Sequence, residues 1–370
     1  MIALEWRWFL VIAIVAVVIR LIIMTDTSEF PRDLDDKLQR SEIIFTPDFI
    51  GPESLAFDAQ GKGPYTGVAD GRIMFWDGPK RGWIEFAHTS PNRTAKCNTG
   101  IPPSLKLEEE HICGRPLGMR FDEQGNLYIA DAYCGLYVVG PEGGPAKVLV
   151  TEVEGVPLAF TNDVEFGENG LVYFTDSSSK YHRRDFVSMF MGGDESGRLL
   201  TYNPSTGKAE VILHGLQFPN GLAISKDKSF LIISETLTCR ALRLWLKGAK
   251  KGQLELFAKL PGYPDNVRRT ESGDFWIAIH SKPNILLKTP LWLRRGLLKL
   301  PLSFTGLYTK VSGRLAKGMI IRLSEDGIIK EVIEDSQGKV VRLVSEVEEH
   351  DGKLWLGSVI LPQIAVYRKD

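Results

Sequence analysis

Charge of one sign is what this 370-residue sequence conspicuously lacks: 45 Lys and Arg stand against 46 Asp and Glu, a formal net charge of −1. No basic stretch is interleaved with aromatics in the manner of single-strand binders, so no nucleic-acid partner is expected. Long helical periodicity is missing too. From residue 50 onward the one extended 3.6-residue pattern lies near 290–318, which excludes a mainly helical body. The remaining composition, 44% hydrophobic and 25% charged, is that of an ordinary globular chain.

What is present begins at the N-terminus. WFLVIAIVAVVIRLIIM, from Trp8 to Met24, is apolar except for Arg20. Its length is at the low edge of a bilayer span, and Arg20, near the end, can snorkel to the headgroups. A cleaved signal peptide is the competing reading, although no small-residue cleavage pattern follows. The expected organisation is a signal-anchor or transmembrane helix over 1–24, a linker over 25–46 and the folded body over 47–370. Either reading sends the body into the secretory pathway, as a lumenal or extracytoplasmic domain on the endoplasmic reticulum, vacuole or plasma membrane.

Two further features bear on that compartment. Cys97 and Cys113 bracket a polar segment, and a disulfide closing it contributes roughly 3 kcal/mol; two unrelated thiols are the alternative. Cys134 and Cys239 lie in apolar strand-like runs and are expected as buried thiols. Asn92-Arg93-Thr94 is a sequon that is glycosylated only in the lumen.

The body repeats. ESLAFDAQG from Glu53, LGMRFDEQG from Leu117, NDVEFGENG from Asn162, NGLAISKDK from Asn220 and DNVRRTESG from Asp265 share one register, and VSEVEEHDG from Val344 is a sixth unit. Each is followed by a second strand: YTGVADG, LYIADAY, VYFTDSS, FLIISET, FWIAIHS and LWLGSVI. Spacings of roughly 45 to 80 residues suit four-stranded blades with variable loops. The expected fold is therefore all-β, a six-bladed propeller.

In that alignment the first residue of each unit sits where the innermost strand meets the central channel. The position holds Glu53, Leu117, Asn162, Asn220, Asp265 and either Val344 or Ser345, with Asn266 beside Asp265. Two carboxylates and up to three amides converging on one axis are the hard-oxygen donors that Ca²⁺ takes. No His or Cys occupies these positions, which argues against zinc. The competing explanation is that Asn and Asp only cap strand starts.

Beyond the repeat, the segments CGRPLGMRFDEQGNLYIADAYCGL, YFTDSSSKYHRRDF, GLQFPNGLAIS, PGYPDNVRR and SEVEEHDGKLWLGS resemble the strictosidine synthase-like proteins and, equally, the adipocyte plasma membrane-associated protein family. The likeness runs from about residue 47 to the end. More distantly, the axial pattern is similar to that of the paraoxonases. That resemblance implies a Ca²⁺ held by Glu53, Asn162, Asn220, Asp265 and Asn266.

Departures from the family pattern narrow the function. The acid–base glutamate of true strictosidine synthases falls here on Ser345, and strand alternation sends Glu346 to the opposite face. Amine–aldehyde condensation is therefore not expected. The paraoxonase His pair falls on Leu117 and Ala132. His280 survives, where a paraoxonase-like histidine also falls, and is the candidate general base. Asp131 and Asp176 are candidates for supporting the metal site, or for capping turns. Together these imply a Ca²⁺-dependent hydrolase of small-molecule esters or lactones, with a non-catalytic binding module as the alternative.

Acid is absent from one place. Phe275 to Ser324 contains no Asp or Glu but nine Lys and Arg, mixed with Leu, Trp and Phe over about 285–318. The stretch is too long for a hairpin turn. It is expected as an insertion over the axial mouth that also meets an anionic membrane.

Overall fold

The computed structural model describes residues 30–98, 107–283, 288–300 and 316–369, with residues 13, 15–17, 19 and 20 of the N-terminal apolar run. Those six residues are helical. The rest of the expected anchor, and residues 301–315 of the basic insertion, lie outside the described residues. Among the described residues no helix is long and apolar enough to cross a membrane.

Six antiparallel sheets follow one another in chain order around a common axis, the expected propeller. Blade one is built on Leu55–Ala56, Tyr65–Gly67, Arg72–Trp76 and Trp83–His88. Blades two to five start from the inner strands Pro116–Phe121, Thr161–Phe166, Pro219–Ile224 and Tyr263–Arg269. Blade six runs Glu346–His350, Lys353–Gly357 and Gln363–Arg368, and its fourth strand comes from the other end of the chain. Glu42–Phe45 pairs antiparallel with Gln363–Arg368, Glu42 opposite Val366 and Phe45 opposite Gln363. That strand falls within the stretch read from sequence as linker. It completes blade six as its outermost strand, so that the two ends of the chain close the ring together.

The core lies between blades. Phe257, Phe275 and Ile321 pack between blades four and five, and Trp276, Ile333 and Val347 between five and six. Blades two and three meet through Tyr128, Val164 and Phe174. Because both faces of each sheet are covered, second strands such as Phe230–Glu235 are buried throughout. This is why they read as continuous apolar runs rather than alternating ones.

Cys97 and Cys113 form a disulfide, and Asn92 is exposed nearby. Cys134 and Cys239 differ from expectation. Both are only half-buried and occupy tight turns between strands rather than strands themselves, Cys239 with a left-handed backbone.

Candidate functional site

The inner strands of blades two to five break their pairing at the same place. Register shifts separate Pro116 from Met119, Thr161 from Val164, Pro219 from Leu222 and Pro264 from Val267. Two residues at each start are thereby released from strict alternation. The second of each pair meets the next inner strand closely. A Cβ on Gly118 would stand 2.0 Å from Asp163 Oδ1, and one on Gly221 would stand 2.5 Å from Asn266 Cα. Glycine at these two positions lets the inner strands close around the axis.

The first residues of the bulges reach one cleft at the mouth of the channel. Glu53, Leu117, Asn162, Asn220 and Asp265 line it together with His280, while blade six contributes Val359 and Ile360 instead of Val344 or Ser345. The cleft has about 850 Å³ of empty space, counting the part open to solvent. Its walls are mainly apolar: Phe160, Phe186, Phe190, Phe218 and Tyr263. Phe190 stands edge-on to both Phe218 and Tyr263, at 5.5 and 5.6 Å between centroids.

At the floor, the amides turn their nitrogens into the protein. Asn162 Nδ2 donates to Ser177 Oγ at 2.9 Å, Asn220 Nδ2 to Thr236 Oγ1 at 3.3 Å and Asn266 Nδ2 to Glu53 Oε1 at 3.0 Å. Their oxygens, and Glu53 Oε2, are buried without a hydrogen-bond partner. Buried polar atoms are normally paired, so four orphan oxygens from blades one, three, four and five call for a ligand. Burial raises the Glu53 carboxyl well above its usual range, and Asp265 and Glu346 push it further. Asp265 is pushed up to about 7, first by burial, against a hydrogen bond with Asn220, and then by Glu346 and Asp163. Carboxylates that repel one another in a dry site are stabilised by a cation. No group of three or more His, Cys, Asp or Glu is arranged for a metal among the described residues. The donor set is instead two carboxylates with amide oxygens, which suits Ca²⁺ rather than zinc.

His280 lies beside this floor. Its Nδ1 is 3.7 Å from Asp265 Oδ2, too far for a hydrogen bond, and has no partner. Burial, and then the Arg183 cation, lower its pKa to about 4. Arg183 is itself fixed by Glu110, whose Oε1 and Oε2 accept from Nη1 at 2.5 and 2.7 Å.

The sequence matches the family described as strictosidine synthase over residues 162–249 and that described as strictosidine synthase-like, N-terminal, over residues 35–76. The Arabidopsis thaliana protein STRICTOSIDINE SYNTHASE-LIKE 10 is 50% identical over 337 residues, covering 90% of this chain and 89% of that one. The Homo sapiens adipocyte plasma membrane-associated protein is 37% identical over 339 residues, covering 88% and 77%. The chain belongs to the strictosidine synthase-like family. Among solved structures, a Xanthomonas campestris gluconolactonase shares the fold with a TM-score of 0.59 at 14% identity, covering 93% of this chain and 96% of its own. An Agrobacterium tumefaciens calcium-binding regucalcin shares it at 0.54 and 13%, covering 88% and 93%.

For a strictosidine synthase-like chain, the position of most interest is Ser345. It does not line the cleft, and its Oγ donates to the Glu53 carbonyl at 2.8 Å. Glu346 lies deeper, where Arg268 Nη2 donates to Oε2 at 2.5 Å and Ser54 Oγ at 2.9 Å. Leu117 lines the cleft, and both it and Ala132 pack with Phe160, Met189 and Phe218.

Asp131 and Asp176 touch none of the floor residues. Asp131 accepts from the backbone of Arg115, Tyr133 and Cys134, and Asp176 from Phe160 N and Arg198. Both organise turns, and Asp176 thereby also fixes Phe160 on the cleft wall. Among the described residues, none of the basic insertion lines the cleft. Its helix Leu291–Leu297 buttresses the helix Phe186–Gly192, which does: Arg294 Nη1 donates to Phe190 O at 2.9 Å and Arg295 Nε to Gly192 O at 3.1 Å.

Sequence reasoning had assigned no role to the helix Phe186–Gly192, to Arg183 or to Arg268. Arg183 and Arg268 lie in the segments DSSSKYHRRDF and PGYPDNVRR, as part of the family likeness only, while the helix lies beyond them except for Phe186.

Proposed function

We propose that this strictosidine synthase-like propeller is a Ca²⁺-dependent hydrolase acting on small esters or lactones with an apolar acid or alcohol part. The observation that carries the reading is the set of orphan oxygens on Glu53, Asn162 and Asn220, which line an aromatic cleft, and on Asn266, which does not line it but donates to Glu53. With Asp265 they would hold the ion, and a bound Ca²⁺ would supply Lewis-acid polarisation of the substrate carbonyl.

The chain's own groups supply the rest. Phe160, Phe190, Phe218 and Tyr263 grip the apolar part of the substrate and exclude bulk water. His280 offers an unpartnered Nδ1 to accept the proton of an attacking water; burial lowers its pKa to about 4, which keeps it neutral at pH 7 and makes it a weak base. The names of two proteins sharing the fold, a gluconolactonase and a calcium-binding protein, are in keeping with this reading.

Amine–aldehyde condensation loses its acid–base group, because Ser345 is engaged with Glu53 O and Glu346 with Arg268. The exposed Asn92 sequon and the Cys97–Cys113 disulfide support a lumenal body, and the apolar run from Trp8 to Met24 supports its attachment to a membrane.

The test is phenyl acetate hydrolysis by the full chain with Ca²⁺ or with chelator. Expected are turnover that chelation abolishes, and a kcat in His280→Ala lowered by about 10²-fold or more. Metal binding without turnover would instead mark a binding module. Turnover indifferent to chelator would overturn the metal's role.

A further inference from the structure

Three large hydrophobic side chains stand almost bare on one rim of the propeller. Leu34 is 92% exposed, Trp292 74% and Phe45 69%. Their common side follows from strand direction. In each blade the inner strand runs away from the cleft and the second returns toward it. The fourth strand of blade five, Ile329–Asp335, therefore ends at the mouth, and so does the closing strand at Phe45.

The chain enters at this same rim. Arg32 Nε donates to Glu334 Oε1 at 2.9 Å, and Asp36 accepts from Ser336 N at 2.6 Å. The basic insertion leaves from it after Ser281 and returns before Gly318. Lys282, at one foot, lies close enough to Arg32 and to Lys317 at the other foot for its charge to interact with theirs. The chain from Phe30 onward thus enters the body beside the feet of the insertion.

The charge on the Trp292 segment itself is one-sided, while exposed Glu195 lines a pocket with Arg295 and exposed Asp48 follows Phe45. Arg295 and Lys299 are exposed on the same segment as Trp292, within a span that contains no acid from residue 275 to 324. Carboxylates at the chain entry are mostly turned inward. Asp33 accepts from Lys37 N and Glu334 N, Asp36 from Ser336, and Asp335 from Val340 N and Val341 N. Asp35 is the exposed acid beside Leu34.

We infer that this rim is a docking surface for an anionic lipid bilayer, so that the cleft opens toward the membrane. Indole rings and cations side by side are what the headgroup region accommodates, and Arg295 and Lys299 meet the negative surface potential. The described chain enters the body on that same side, through Arg32 and Asp36. The surface is independent of whether the cleft is catalytic.

The full chain, reconstituted in vesicles of phosphatidylcholine with phosphatidylserine, tests this by quenching of tryptophan emission with brominated lipid. The difference between the full chain and its Trp292→Phe variant isolates the one indole. Expected is strong quenching of that component, lost when Arg295→Glu and Lys299→Glu are combined and reduced in pure phosphatidylcholine. A Trp292 component unaffected by brominated lipid overturns the inference. So does one that shifts only with protein concentration, which would mark contact with a second copy.

Discussion

Arg268 shows how much one residue below the cleft can decide. Its guanidinium donates to Asp163 Oδ2 at 2.8 Å and to Glu346 Oε2 at 2.5 Å, and it is buried with both. Asp163 also accepts from Leu222 N, and Glu346 accepts weakly from Asn266 Nδ2 at 3.4 Å. A single cation therefore joins the inner strands of blades three, five and six beneath the proposed metal. Removing it leaves two carboxylates buried without a counter-charge, which costs on the order of 3–5 kcal/mol. Arg268→Met should accordingly lose about that much stability in urea titration. Arg268→Lys should recover only part, since one ammonium lacks the planar fork that serves two carboxylates at once. Equal stability of all three proteins would show that the network contributes nothing net.

At the scale of elements, the bulges and the closing strand separate what could be read in advance from what could not. The repeat from Glu53 to Val344 was legible because each blade buries both faces of the same strand pair, and that constraint writes itself into local sequence. The cleft positions of Glu53, Asn162, Asn220 and Asp265 followed from the same register. Alternation alone misleads at Asp265 and Asn266, where the shift between Pro264 and Val267 lets neighbours serve one floor. The partners of Arg183 and Arg268 lie 73, 105 and 78 residues away, and no local pattern encodes such distances. The closing strand was hidden for the same reason, as its partner is the last strand of the chain. Just before it, Leu38 is fully buried among Trp276, Ile333 and Val347. Leu38→Ala should cost about 2–5 kcal/mol, by lost burial and the cavity left behind. Hydrogen exchange should show Glu42–Phe45 losing protection first, while blades two to four keep theirs. Uniform loss of protection in all six blades would mean that the strand is no separate latch.

For the molecule as a whole, the proposed ion would be a tie across the axis, since its donors come from blades one, three, four and five. Glu53 is raised well above its usual pKa and Asp265 to about 7, each mainly by burial and further by neighbouring carboxylates. Near neutral pH these groups oppose folding unless a cation is present, because the folded state resists their ionisation. Glu53→Gln combined with Asp265→Asn keeps shape and acceptor oxygens but removes both charges. In chelator the double variant should therefore be at least as stable as the natural sequence. With Ca²⁺ at about 100 times its Kd, the natural sequence should gain about 2.7 kcal/mol by mass action, and the variant almost nothing. Scanning calorimetry at pH 7 reads this as a crossing: the variant melts at the same or higher temperature without Ca²⁺, and at lower temperature with it. A variant that keeps the full Ca²⁺ increment places the ion elsewhere. A natural sequence that gains nothing from Ca²⁺ removes the tie, and with it the reason for four unpaired oxygens to face one floor.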